Sequence, residues 1–232
     1  MTVRQIAGLW LGALLVVGTL QGNAATEDLD WVERSDANTL LVTELFATYL
    51  PELMAGLGVE GFDDEVLRIS DAIDAESRKL ELELLAEVRR RLEEESHAAV
   101  RQDLEILIDL LERDLAETEL ENELLLPYFD VAETVFRGLR SLLDDQVPEA
   151  RRRSAVVRLR RYAGLEEGYE PLTEQAETYI RTRLPDDALL GPYAEEVAKD
   201  LDRAPRLIAG IGKMLETYDL TGYEEAYSAL RE

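Results

Sequence analysis

The chain contains no cysteine, so disulfides, thiolate metal ligands and a cysteine nucleophile are all unavailable to it. Its single histidine, His97, excludes a His-Glu-x-x-His zinc helix and any site that needs two imidazoles. A catalytic triad would have to pass through His97, and the adjacency of Ser96 does not supply triad geometry; the residue reads as a solvated turn histidine. Basic charge is scarce as well: 25 Lys and Arg stand against 50 Asp and Glu, a net charge of −25. Phosphate binding needs a cationic face, so nucleic acid and anionic membrane surfaces are disfavoured as partners. Only Lys79, Lys199 and Lys213 are lysines. Alternating β-branched or aromatic runs bounded by hairpin turns are missing, which argues against strands, and no fixed-period repeat marks a solenoid.

What the sequence does have begins with a processing signal. Arg4 precedes an apolar run from Ile6 to Leu20, followed by the small residues Gly22, Ala24 and Ala25 and then an acidic segment. The run is shorter than the roughly 20 residues needed to span a hydrocarbon core, so it reads as a cleaved signal peptide (1–24) rather than a retained anchor. Cleavage after Ala24 leaves 232 − 24 = 208 residues, and loss of Arg4 alone takes the charge to 24 − 50 = −26. The expected location is periplasmic or extracellular. Without disulfides the exported part, 25–232, must be held by its apolar core, which the 46% hydrophobic content can supply.

Apolar residues recur every three to four positions through most of this part. The clearest case runs from Ser96 to Leu126, where Val100, Leu104, Leu107, Ile108, Leu111 and Leu115 share a face. Ile106 and Leu110 add a second apolar line, which predicts a helix central to the fold with neighbours on two sides. Helices are also expected over Leu29 to Leu57 with a kink at Pro51, Asp74 to Glu95, Asp130 through Leu143, Pro148 to Ala163, Pro171 to Leu184, and Pro192 to Tyr218 with a break at Pro205. Ser96 and Asp130 are expected caps, Gly164 a stop, and Thr221 with Glu224 has capping-box spacing before a last helix. The expected fold is all-α, a bundle of about seven to eight mostly antiparallel helices.

Candidate sites weigh little. The pairs Asp63/Asp64, Asp144/Asp145 and Asp186/Asp187 lack the alternating ligand loop of an EF-hand and are expected by chance among 50 acids. Arg151, Arg152, Arg153, Arg158, Arg160 and Arg161 could receive an anion, but pairing with acidic helices of the same fold, or plain solvation, is the simpler reading. Gly210, Gly212 and Lys213 resemble the end of a phosphate loop, yet its first glycine would fall at Leu207 and Met214 stands where Ser or Thr belongs. Tyr218, Tyr223 and Tyr227 read as the cover of a core edge. No catalytic, cofactor-binding or metal-ligating residue is assigned.

Six stretches together carry a family resemblance: Trp31 through Asn38, Leu57 to Asp63, Val100 to Ile108, Leu126 to Asp130, Phe136 to Leu139, and Arg158 to Leu165. They resemble the N-terminal region of the bacterial domain of unknown function 885 family. The resemblance implies a secreted, helix-rich protein and kinship with zinc-dependent metallopeptidases, whose His-Glu motif lies in a C-terminal half absent from this sequence. It therefore implies zinc and a peptide substrate for the full-length proteins only, with that half as this chain's partner and no ligand carried onto any residue here. The alternative is a stand-alone periplasmic binding or scaffold module. Export predicts a mature N-terminus at Ala25 or Thr26, and mass spectrometry of periplasmic protein that retains residues 1–20 would contradict it.

Overall fold

A computed structural model describes residues 30–185 and 187–231, so the expected signal peptide lies outside the described residues. Ten helices follow one another there: α1 (Asp30–Tyr49), α2 (Pro51–Gly56), α3 (Asp71–Glu94), α4 (Ala98–Leu124), α5 (Val131–Arg140), α6 (Glu149–Arg152), α7 (Ser154–Tyr162), α8 (Leu172–Arg181), α9 (Ala194–Thr217) and α10 (Glu224–Arg231). Eight have eight residues or more, so the all-α expectation holds. The described residues contain no strand, only an isolated parallel bridge between Leu125 and Leu190. The chain divides into two compact units, the first with residues 30–45 and 76–124 and the second with 46–75 and 125–231.

In the first unit α3 and α4 form an antiparallel hairpin because only three residues, 95–97, separate them. The turn uses side chains to satisfy orphaned helix ends. The Glu95 carboxylate accepts the N–H groups of Ser96 and His97 at 2.8 and 2.7 Å, and Arg101 Nη1 donates to the carbonyls of Leu92 and Glu95 at 2.5 and 2.9 Å. Those backbone donors, the His97 N–H foremost, hold Glu95 below the usual carboxylate range. Ser96 is thus a guest of the turn rather than the expected cap, and α4 starts at Ala98. The α1 segment joins through Arg91 Nη1, which donates to Asn38 Oδ1 at 2.7 Å, and through Ser35 Oγ, which donates to Asp103. The buried face of α4 is the one its spacing predicts, Val100, Leu104, Leu107, Leu111 and Leu115.

The central role expected for this helix is not found. Ile106 is 57% exposed, and Leu120 and Leu124 on the same side are exposed too. The hydrophobic core cluster around Val135, Leu139, Leu142, Leu159, Tyr162, Ile211 and Leu215 lies in the second unit and contains no residue of α4. Short helices of three turns or fewer cannot stabilise themselves and must pool their apolar faces, which is why the core gathers there.

Local punctuation explains most other differences. Pro51 does not kink a long helix but opens α2, with its lost N–H among the donors that a helix start leaves unbonded anyway. Residues 148–163 form two helices, α6 and α7, joined through Arg153. Asp130 caps α5 as expected, its Oδ1 accepting the Glu133 N–H at 2.9 Å. Gly164 also stops α7 as expected: φ is +68°, and a Cβ there would stand 2.4 Å from Pro171 Cδ. The Thr221 capping box is not used, because Gly222 turns with φ +83° and α10 begins only at Glu224. Pro205 does not break α9. Its ring lies on the exposed side, so the Leu201 carbonyl it leaves without a donor can meet water, while Asp200, Ile211 and Leu215 anchor both halves.

Replacing Leu107 with Ala should cost ~2 to 5 kcal/mol in a urea unfolding experiment through lost burial and a cavity. Ile106→Ala should stay within ~0.5 kcal/mol; equal losses would place Ile106 in a core.

Candidate functional site

The structure gives most of the sequence candidates a structural occupation. His97 is exposed and stacks on Trp31, ring centroids 5.5 Å apart and 8° from parallel. Asp63 takes a two-pronged bond from Arg151, at 2.8 Å from Nε and 2.7 Å from Nη2, and Asp64 pairs with Arg161 at 3.0 Å. Asp144 accepts the Gln146 N–H and Asp145 the Tyr218 hydroxyl. Asp187 is exposed, and Asp186 lies outside the described residues.

Gly210 and Gly212 sit inside α9, where there is no loop to cradle phosphate. Gly212 instead makes room for Tyr227, whose hydroxyl would be 2.5 Å from a Cβ at that position. That hydroxyl donates to the Ile208 carbonyl at 3.2 Å, and Tyr223 meets Tyr227 edge to face. The tyrosines cover a core edge, as their positions suggested.

The arginine-rich segment is consumed within the second unit. Besides Arg151, Arg152 lies over the Tyr218 ring at 4.9 Å and Arg153 pairs with Glu149. Arg160 meets Glu166 and Glu225, while Arg161 meets Asp64 and Glu65 and lies over the Tyr169 ring. The partners are mostly loop acids rather than the acidic helices, because the segment faces the loop 57–70.

Arg158 stands apart, fully buried at 0% exposure. Its Nη1 donates to the Gly138 carbonyl and its Nη2 to the Phe62 carbonyl, both at 2.6 Å, while its buried Nε has no partner. One turn on, the buried Tyr162 donates to Glu52 Oε1 at 2.6 Å, and the same oxygen accepts the Leu67 N–H at 2.8 Å. Burial and then the Glu52 charge push the Tyr162 phenol well above its ordinary value, against the opposite pull of Arg158. The Tyr162 hydroxyl acts as a donor to Glu52.

Two further groups escape a reading by composition. Arg203 gathers Asp130 at 2.6 Å, Asp200 at 3.1 Å and Glu133 at 3.2 Å, and Asp200 also accepts from Tyr128 at 3.2 Å. Burial, reinforced by Asp200, pushes Tyr128 up to about 12. In the first unit Glu81 is buried. A signal for Arg158 and Glu81 was present in the spacing: Arg158 falls in register with Ala155 and Tyr162, and Glu81 with Leu85 and Val88. Among the described residues no group of three or more His, Cys, Asp or Glu is arranged to hold a metal ion.

The model of the family described as Bacterial protein of unknown function (DUF885) matches residues 51–230. No curated protein and no solved structure matches the chain. Within the matched span Arg158→Met should cost ~2 to 5 kcal/mol, because two buried carbonyls lose their donors. Arg153→Met, at an exposed pair, should stay within ~0.5 kcal/mol by the same urea measurement.

Proposed function

The chain belongs to the DUF885 family of bacterial proteins, and from that premise we propose that it is the helical scaffold portion of an exported, zinc-metallopeptidase-like hydrolase, not catalytic by itself. The activity in this reading comes from the family resemblance, which ties zinc chemistry to a His-Glu motif outside this sequence. What supports the scaffold role is the use to which the family-like stretches are put. Arg158 of one stretch donates to Phe62 of a second and to Gly138 of a third, and Arg151 holds Asp63. Asp130, at the end of a fourth, caps α5 and binds Arg203. These side chains tie helices and loops of the second unit to one another, which is the work of a framework that holds a site rather than of the site. Export follows from the signal expected at 1–24, and a peptide is the substrate class proposed for the complete hydrolase.

Calorimetric titration of residues 25–232 with zinc should show no stoichiometric binding, since a catalytic zinc needs three protein ligands. A family member that carries the His-Glu motif should bind zinc and hydrolyse peptides until a chelator is added. Stoichiometric binding at micromolar or tighter affinity by residues 25–232 would overturn the scaffold reading.

A further inference from the structure

The exposed side of α9 carries a pattern that the core does not use. Leu201 is 69% exposed, and with Ala194, Ala198 and Pro205, all exposed, it forms a line at intervals of four, three and four residues. That spacing keeps side chains on one helix face and is the spacing of a seam between two helices. Asp200, Ile211 and Leu215 fall on a neighbouring side and are buried. Each member of the line is followed by a charge: Ala194 by Glu195, Ala198 by Lys199, Leu201 by Asp202 and Pro205 by Arg206. Successive residues stand about 100° apart around a helix, so these four exposed charges make a second line along one flank of the first.

The signs along this flank alternate, acid, base, acid, base. Acids outnumber bases by 50 to 25 in the whole chain, whereas here they balance, which leaves the face locally neutral in a strongly acidic protein. Within one copy Arg206 reaches Asp202 at 3.3 Å, but the two side chains are 74% and 82% exposed, where such a pair contributes little. Pairing along the helix surface accounts for charges at this spacing; it does not call for an apolar line beside them.

We propose that this face of α9 is an interface for a second copy of the same chain, two α9 helices packing antiparallel about a two-fold axis close to Leu201.

The charge pattern selects that occupant and that direction. In an antiparallel two-fold pair the same flank of each helix meets with its order reversed. Acid, base, acid, base read backwards is base, acid, base, acid, so Glu195 faces Arg206 and Lys199 faces Asp202, and the symmetry repeats both contacts. Both pairings place the axis at one level, midway between residues 200 and 201. Leu201 therefore meets its own copy there, and the small Ala198 side chains let the helices approach. Parallel copies would leave the two charged lines on opposite sides of the pair, unused. Pro205 also leaves the Leu201 carbonyl without its helical donor on this face, and the Lys199 ammonium of the second copy can supply one. The net charge opposes association, but at ~0.15 M salt repulsion between exposed charges more than about 8 Å apart is largely screened, while the matched charges touch.

Sedimentation velocity at ~0.15 M salt, on protein purified from cells that express the full 232-residue chain, tests the interface. A dimer should form with a dissociation constant of roughly 10 to 100 μM, in keeping with a contact at the low end of interface sizes. Lys199→Glu with Arg206→Glu makes the flank wholly acidic and should abolish the dimer. Glu195→Lys with Asp202→Lys makes it wholly basic and should do the same, and an equimolar mixture of the two variants should dimerise again. All four positions are exposed, so the variants keep the fold, which circular dichroism checks. A second measurement exploits the absence of cysteine. On mild oxidation Leu201→Cys should cross-link to its own copy faster than Tyr193→Cys, although Tyr193 is the more exposed at 83%. Two copies of position 193 stand about 22 Å apart along the helix axes in this pairing. A monomer at every concentration up to about 1 mM, as when the face serves a different protein, would overturn the proposal. So would a dimer indifferent to the charge changes, no dimer in the mixture, or faster cross-linking at 193.

Discussion

A single guanidinium determines how the second unit can be assembled. Arg158 has no water to return to, so its two terminal nitrogens must find acceptors inside the protein, and they find backbone carbonyls. Because those carbonyls belong to α5 and to the loop before α3, the position of α7 fixes both. Tyr162, on the same face of α7, repeats the arrangement one turn away by holding Glu52, which in turn holds the Leu67 N–H. The loop 57–70 has little regular structure, so these bonds satisfy polar groups that would otherwise be left over. The apolar core packs around an interior polar brace, and the brace gives that packing its register.

The excess of acid is tolerated because few of the carboxylates must enter the interior. Many arginines lie within one turn of a carboxylate on their own helix, as Arg90 does between Glu87 and Glu94 and Arg113 does beside Asp109. Such exposed pairs contribute ~0 to 1 kcal/mol each and mainly relieve local repulsion. The arginines that matter more reach across the sequence: Arg151 to Asp63 over 88 positions, Arg203 to Asp130 over 73. Both are largely shielded from solvent, where screening weakens them less.

Periodicity carried most of the helices and most of the core. Val135 and Leu139, Ile211 and Leu215, and the Val100 to Leu115 face are buried where spacing places them, because burial of a helix face is a local pattern with a period of 3.6. The place of α4 is not legible for a related reason: length and a second apolar line at Ile106 do not reveal whether a partner exists to cover it. Capping at Thr221 and breakage at Pro205 are local preferences that the surrounding packing overrides. The charged residues at the centre of the polar groups were hidden by their neighbours. Arg158 stands in a run of arginines and Glu81 in a run of glutamates, so composition made both look solvated. Their register with Ala155 and Tyr162, and with Leu85 and Val88, was the legible clue.

The stacking of Trp31 on His97 has a spectroscopic consequence. Trp31 is the one tryptophan among the described residues, since the other of the two is Trp10, and it lies in the first unit, whereas all nine tyrosines lie in the second. Indole fluorescence and phenol absorbance are thus native optical labels for different halves of the same chain. Whether the halves melt together or in sequence can be seen by comparing two wavelengths in one cuvette, with no dye attached and no residue changed.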